Sequence, residues 1–367
     1  MKKIFKTAAF IAVTFCIAGV AFGKGAKGGS PVGTYEEGYK EGLKASANDR
    51  TSRGMTEEFY AGRSDGMRDQ NGAPSISVNG KLVRNSAMAF VQGGSIKGNG
   101  TEFGEKGLID GGAKIDPYYI GKYEVTQEFY EAVMKNQTVA VGKNKYTLDT
   151  APSYHTKSTL VSGEAQERRA VESVTWFDAV YFCNALSSLQ GLQSVYKIEI
   201  KTVAGNHITD ATVSIDKKAN GFRLPSEDEW ELACRGGDPA KKDFAYSFSG
   251  MSSPSYDGKA ATSADLDKVG WYAYNPSGKT SSAKGEKGVP GFGTHEVGKK
   301  GANAIGAYDM SGNVYEWVYD VGDDNERIIR GGAYTTPAAA CKVTAWNDEN
   351  PSKRMSGIGF RIARNAK

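Results

Sequence analysis

Residues 303–317 read NAIGAYDMSGNVYEW. Gly312 and Asn313 in this run favour a left-handed turn. Asp309 and Glu316 bracket the turn, so two carboxylates and the carbonyls between them can converge on one point, an all-oxygen cage of the kind calcium accepts. Tyr308, Met310, Trp317 and Val318 supply an apolar side that anchors such a loop to a core. The plainer alternative is a tight turn with ordinary core aromatics.

Working outward, the neighbouring segments carry helix and strand signals in alternation. YYIGKYEVTQEFYEAVM (118–134) reads as a strand leading into a helix capped by Thr126, with Glu128 in its first turn. Residues 136–169 are polar and look like a surface excursion. SVTWFDAVYFCNALSS (173–188) returns to helix: Thr175 can cap it, and Trp176, Val180 and Cys183 share a stripe. Residues 194–215 alternate and are β-branched, which suggests a hairpin. GFRLPSEDEWELACRGG (221–237) gives a strand, a turn at Pro225, and a helix in which Ser226 and Glu229 are placed as a capping box. Its inner face carries Trp230, Ala233 and Cys234, and Gly236 and Gly237 end it. Residues 238–301 are rich in Gly, Ser, Lys and Tyr, with WYAYN (271–275) as the segment expected to be buried. ERIIRGGAY, KVTAW and GIGFRIAR read as three closing strands.

The chain of 367 residues has 46 glycines against 11 prolines, which suits a loop-rich α+β fold better than a helical bundle. The formal net charge of +4 is nearly balanced, and Lys2, Lys3 and Lys6 contribute to it from the first residues. Nothing in that balance calls for nucleic acid. Residues 1–23 have a basic head, an apolar run from Thr7 to Val20, and small residues at Ala21 and Gly23: a secretory signal, too short for a membrane span. The chain is therefore expected to be exported, to the cell surface or the periplasm. Cys16 offers a rival reading as a lipid-attachment residue, opposed by the bulky Phe15 before it, and a lipid anchor would be the sole membrane association. Residues 24–86 form a Gly- and charge-rich spacer. Gly38 and Gly42, and Gly62 and Gly66, recur at helical spacing, so a helical hairpin or a flexible stalk both fit. Residues 87–364 make up the main domain.

Once the leader is removed, Cys183, Cys234 and Cys341 remain, an odd set without paired spacing, which argues against a disulfide scaffold or a thiolate zinc site. No Walker loop, GxSxG elbow or HExxH motif occurs.

In order, YYIGKYEVTQ, SVTWFDAVYFCNALS, GFRLPSEDEWELACRGG, IGAYDMSGNVYEW, IIRGGAY and GIGFRIAR resemble the formylglycine-generating enzyme (sulfatase-modifying factor) family. The resemblance implies a C-type-lectin-like fold, α+β with much irregular structure. It also implies a structural calcium ion held by the side chains of Asp309 and Glu316 and the carbonyls of Gly312 and Val314. Oxygen-dependent members hold copper between two cysteines at the spacing that separates Thr336 from Cys341. Here the first position is Thr336, so copper is not expected, and Cys341, set among small apolar residues, reads as core. Relatives that act as sulfoxide synthases use several histidines, whereas this chain has only His155, His207 and His295.

In KVTAW as a strand, Lys342, Thr344 and Trp346 would share one face. Trp346, followed by polar residues 347–350, would then form a flat anchor with a polar rim, or else fill a groove under the next loop. The ending also resembles the variable proteins of diversity-generating retroelements, of the Treponema variable protein type. That likeness implies that Ala333, Thr335, Thr336, Lys342, Thr344, Trp346, Asp348, Lys353 and Ser356 are ligand-facing positions on a fixed frame. The expected function is a non-catalytic binder of an external protein or glycan, with a formylglycine-type oxidase and a structural envelope protein as the alternatives.

Overall fold

Thr126, Thr175 and Ser226 each start a helix. The Thr126 hydroxyl accepts from Phe129 N at 3.2 Å and opens the helix Gln127–Met134. Thr175 and Asp178 exchange side-chain-to-backbone bonds at the head of Trp176–Leu189. Ser226 and Glu229 do the same for Glu227–Cys234, at 3.2 and 2.9 Å. Each cap satisfies backbone N–H groups that would otherwise be orphaned, worth about 1 kcal/mol apiece. Gly236 and Gly237 end the last of these helices at φ +86° and +78°, in the left-handed region where glycine is favoured.

The computed structural model describes residues 34–45, 59, 75–96, 112–252, 262–277 and 291–366. The leader, Cys16, and the glycine pair Gly62 and Gly66 lie outside the described residues. Two four-stranded sheets carry the domain. One runs, in spatial order, Phe222–Arg223, Ala363–Asn365, Tyr118–Gly121 and Met88–Val91, all antiparallel. The other runs Trp346–Glu349, Arg327–Arg330, Tyr315–Val321 and Ile358–Gly359, the last pair parallel. The expected hairpin is Tyr196–Ala204 against His207–Ile215, turned by Gly205 and Asn206 at φ +55° and +66°, as a two-residue loop with positive φ at both positions requires.

The central strands are buried on both faces. Trp317 and its cross-strand partner Ile329 face a core shared with Phe129, Trp176, Phe182 and Phe360. Their chain neighbours Val318 and Ile328 face a second core with Tyr118, Trp230 and Met310. A strand covered on both sides reads as a continuous apolar run rather than an alternation, which is why VYEWV and RIIR carried no period of two.

Two parts of the sequence reading change. Ile76, Val78 and Val83 belong to the main core, so the packed unit takes in residues that composition had assigned to the spacer. The helix Tyr35–Gly42 also docks: the Tyr39 hydroxyl accepts from Ser75 N at 2.7 Å, and the Arg84 guanidinium lies 4.1 Å from the Tyr35 ring centroid. KVTAW is not a strand. A 3-10 turn spans Ala338–Cys341 and pairing begins only at Trp346. Val343 and Thr344 are consecutive and both buried, which breaks the alternation expected of an edge strand.

Candidate functional site

The strand Arg327–Arg330 runs into Gly331 and Gly332, both at positive φ. A side chain on Gly332 would meet Cys341 Sγ at 2.6 Å, so the glycine lets the chain pass against the turn that carries the thiol. The chain then folds back on itself. Thr336 Oγ1 accepts from Ala333 N at 3.0 Å, donates to Ala333 O at 2.9 Å, and stands 3.5 Å from Cys341 Sγ. The two positions singled out from the sequence are thus neighbours in space. Cys341 is buried among Phe248, Met251, Leu266, Val269 and Tyr272, and burial pushes its thiol up to about 12, so it stays protonated. Cys183 and Cys234 are likewise buried and free of disulfides, each in a different core cluster.

Beside this turn, Tyr334 is a hub. Its hydroxyl meets His155 Nε2 at 2.7 Å and Ser356 Oγ at 3.1 Å. Its ring makes edge contacts with His155 and Phe292, and His155 in turn contacts Tyr154, which is 56% exposed. Gly357 lies against Ala333, Tyr334 and Thr335. The structure therefore gathers Ala333, Thr335, Thr336 and Ser356 around Tyr334, with Met355, 42% exposed, alongside. Among these Ala333 is itself buried and works as frame.

The other candidates sit apart. Trp346 is 39% exposed at the start of its strand, paired with Arg330. Asp348, two residues on, accepts from Asp323 N at 2.8 Å and so braces the neighbouring turn. Thr344 is buried, Lys342 is half-buried, and Lys353 is exposed on the 350–353 turn. Sequence reasoning missed Tyr154, His155, Phe292 and Tyr334. The available signal was Tyr154 and His155 together, an aromatic pair inside an otherwise polar excursion.

The 303–317 loop is built differently from the expected cage. Both oxygens of Glu316 are bonded to Arg361, at 2.6 Å each, and one also accepts from Trp230 Nε1 at 2.7 Å. A carboxylate chelated by a guanidinium in a fully buried site is not free to ligate calcium. Glu124 lies beside it, accepting from Asn313 Nδ2 at 2.6 Å and from Val314 N at 3.2 Å. Asp309 Oδ2 accepts from Gly298 N at 2.7 Å, while Oδ1 is buried without a partner. Burial pushes Glu124 well up, with Asp309 and Glu316 adding to the effect, and lifts Asp309 to about 6. The set Asp309, Gly312, Val314 and Glu316 does not fit a calcium ion. Among the described residues no group of three or more His, Cys, Asp or Glu is placed to hold a metal.

The model of the sulfatase-modifying factor enzyme 1-like domain matches residues 74–366. The chain belongs to that family. Among relatives of this sulfatase-modifying factor domain, the chaperone protein LppX of Paenibacillus barcinonensis is 29% identical, over 80% of this chain and 94% of that protein. The inactive C-alpha-formylglycine-generating enzyme 2 of Bos taurus is 31% identical, over 40% of this chain and 45% of that one. The structure of Treponema denticola variable protein 1 superposes with a TM-score of 0.59 at 27% identity, covering 79% of this chain and 98% of that one. The fold is the C-type-lectin-like fold of the formylglycine-generating-enzyme type. Relatives of the sulfatase-modifying factor domain thus include an inactive member and a variable protein, which fits a non-catalytic binding role at the level of the family.

Proposed function

We propose that this protein is an exported, non-catalytic binder that recognises a protein or glycan surface through the C-terminal strands and loops of its lectin-like domain. The observation that carries the reading is the Thr336–Cys341 pair. A hydroxyl and a buried, protonated thiol, 3.5 Å apart, stand where copper chemistry needs two thiolates. The surface next to that pair offers the exposed Tyr154 and Met355 and the half-buried hydroxyls of Thr335 and Ser356, on a backbone fixed by the Tyr334 hydrogen bonds, with Trp346 further along. The leader at residues 1–23 supports export, and the kinship with a variable protein supports diversification at the exposed candidates rather than at buried Ala333 and Thr344. A second near-copy of the last coding stretch beside a reverse transcriptase, differing at adenines, is the genomic counterpart to look for.

The test is saturable binding of the secreted protein to glycan arrays and to purified surface proteins, repeated with Trp346→Ala and with Thr335→Arg. Loss of binding at an unchanged melting temperature supports the proposal, whereas binding indifferent to both changes refutes it. The rival reading, a formylglycine-type oxidase, rests on Cys341 occupying one of the two sulfur positions. Turnover of a sulfatase-motif peptide with copper and oxygen, abolished by Cys341→Ala, would establish it.

A further inference from the structure

A groove of about 400 Å³ lies between the helix Gln127–Met134 and residues 150–157 of the polar excursion, and the turn Gln166–Arg168 adds to its wall. It opens to solvent. Pro152 and Val171, both buried, and the exposed Ala151 give it an apolar lining. Among the described residues the groove carries three carboxylates, Glu128, Glu131 and Glu167, against one lysine, Lys157.

Glu131 and Glu167 are exposed, so water solvates them. Glu128 is placed differently. It is half-buried in the first turn of the helix and makes no hydrogen bond or ion pair among the described residues. Oε1 is buried without a partner, whereas Oε2, neither bonded nor buried, is the oxygen that an incoming group can reach. The charges that bear on the carboxyl are Arg84 and Arg168 on one side of the balance and Glu167 and Glu296 on the other. Both guanidiniums are engaged elsewhere: Arg84 lies 4.1 Å from the Tyr35 ring centroid, and Arg168 Nη1 is 3.2 Å from Glu296 Oε1. Lys157 is exposed and pairs with none of the three carboxylates. Burial therefore prevails and lifts Glu128 to about 7.

We infer that this groove receives a lysine side chain of a partner protein, its ammonium meeting Glu128 Oε2 and its methylene stem lying along Pro152 and Val171. A carboxylate that burial has left without a counter-charge attracts a cation, and the acidic rim attracts the same sign. Lysine fits better than arginine. An ammonium is a compact charge on an apolar stem and needs one oxygen, whereas a guanidinium favours two, and Oε1 is sealed off. The inference deepens the proposed function and rests on it, since it makes the partner a protein. The groove shares His155 with the Tyr334 surface, so one partner can cover both.

The test is an NMR titration of the full-length protein with Nα-acetyl-lysine N-methylamide, and with its Nε-acetylated form as the neutral control. Saturable shifts at the amides of residues 127–131 and 150–157 should appear with the charged probe alone. Glu128→Gln should weaken its binding about tenfold. Affinity in the wild-type protein should also rise by up to about tenfold from pH 6 to pH 8, because Glu128 ionises through about 7 while His155, held at about 4 by burial, stays neutral. Equal response to the two probes, or no saturable shift, overturns the inference, and so does an affinity that does not change with pH. If Glu128→Gln does not fold, the pH profile of the wild-type protein decides. The probe is a single residue, so this result is read separately from the Trp346→Ala and Thr335→Arg assays: either can fail while the other succeeds.

Discussion

Replacing Asp309 by Asn should stabilise the protein above about pH 6 and do nothing below about pH 3. Asp309 is 2% exposed and shares its interior with Glu124, Glu316 and one guanidinium, that of Arg361, which Glu316 already chelates. Burial raises its carboxyl from the model-compound value of 3.8 to about 6. Below about pH 3 the folded and unfolded chains both hold the proton, so the residue is neutral in the balance. From there up to about pH 6 the unfolded chain releases the proton while the folded chain keeps it, so stability falls as pH rises. The loss is complete once pH passes the folded value. The difference of 6 − 3.8, about 2 units, corresponds to about 3 kcal/mol. Removing the Asp309 charge also lets Glu124 ionise more readily, Asp309 being the second cause of its shift after burial, so the relief of Glu124 adds to this gain. Asn preserves the acceptor for Gly298 N and tolerates the φ of +56° at this position. Urea unfolding from about pH 3 to pH 8 measures the effect: the two proteins should coincide at the acid end and separate by about 3 kcal/mol at pH 7. A variant less stable than wild type at pH 8, or a calcium-dependent stabilisation of wild type that Asp309→Asn abolishes, would show that this carboxylate is a ligand and that the reasoning fails.

Tyr334→Phe removes both hydroxyl contacts, to His155 Nε2 and Ser356 Oγ, and should cost about 1–3 kcal/mol by denaturant unfolding because the imidazole loses its partner inside the protein. Thr336→Cys sets a second thiol beside Cys341 and should bind Cu(I) more tightly than wild type, measured by competition with a Cu(I) chelator. Affinity should rise with pH, because burial holds Cys341 at about 12 and its proton must leave for the metal.

What could be read from the sequence was local. Thr126, Thr175 and Ser226 sit within three residues of the groups they cap, so each helix start was visible, and the alternating β-branched residues 194–215 marked the hairpin that Gly205 and Asn206 turn. KVTAW failed because its alternation is real but its backbone is not extended: Val343 N and O are taken by Ser247 and Arg330, contacts no periodicity encodes. The loop at residues 303–317 was a subtler failure. Asp309 and Glu316 have the spacing of a calcium site, yet Arg361, 45 residues beyond Glu316, reaches it first. His155 and Tyr334 are 179 residues apart and touch only because Gly331 and Gly332 turn the chain back past Cys341. A motif states which groups lie near one another along the chain, and a buried charge then takes whatever counter-charge the fold delivers. The spacing of two carboxylates therefore says little about metal until the chain's buried arginines have been placed. In this domain Arg361 accounts for both oxygens of Glu316.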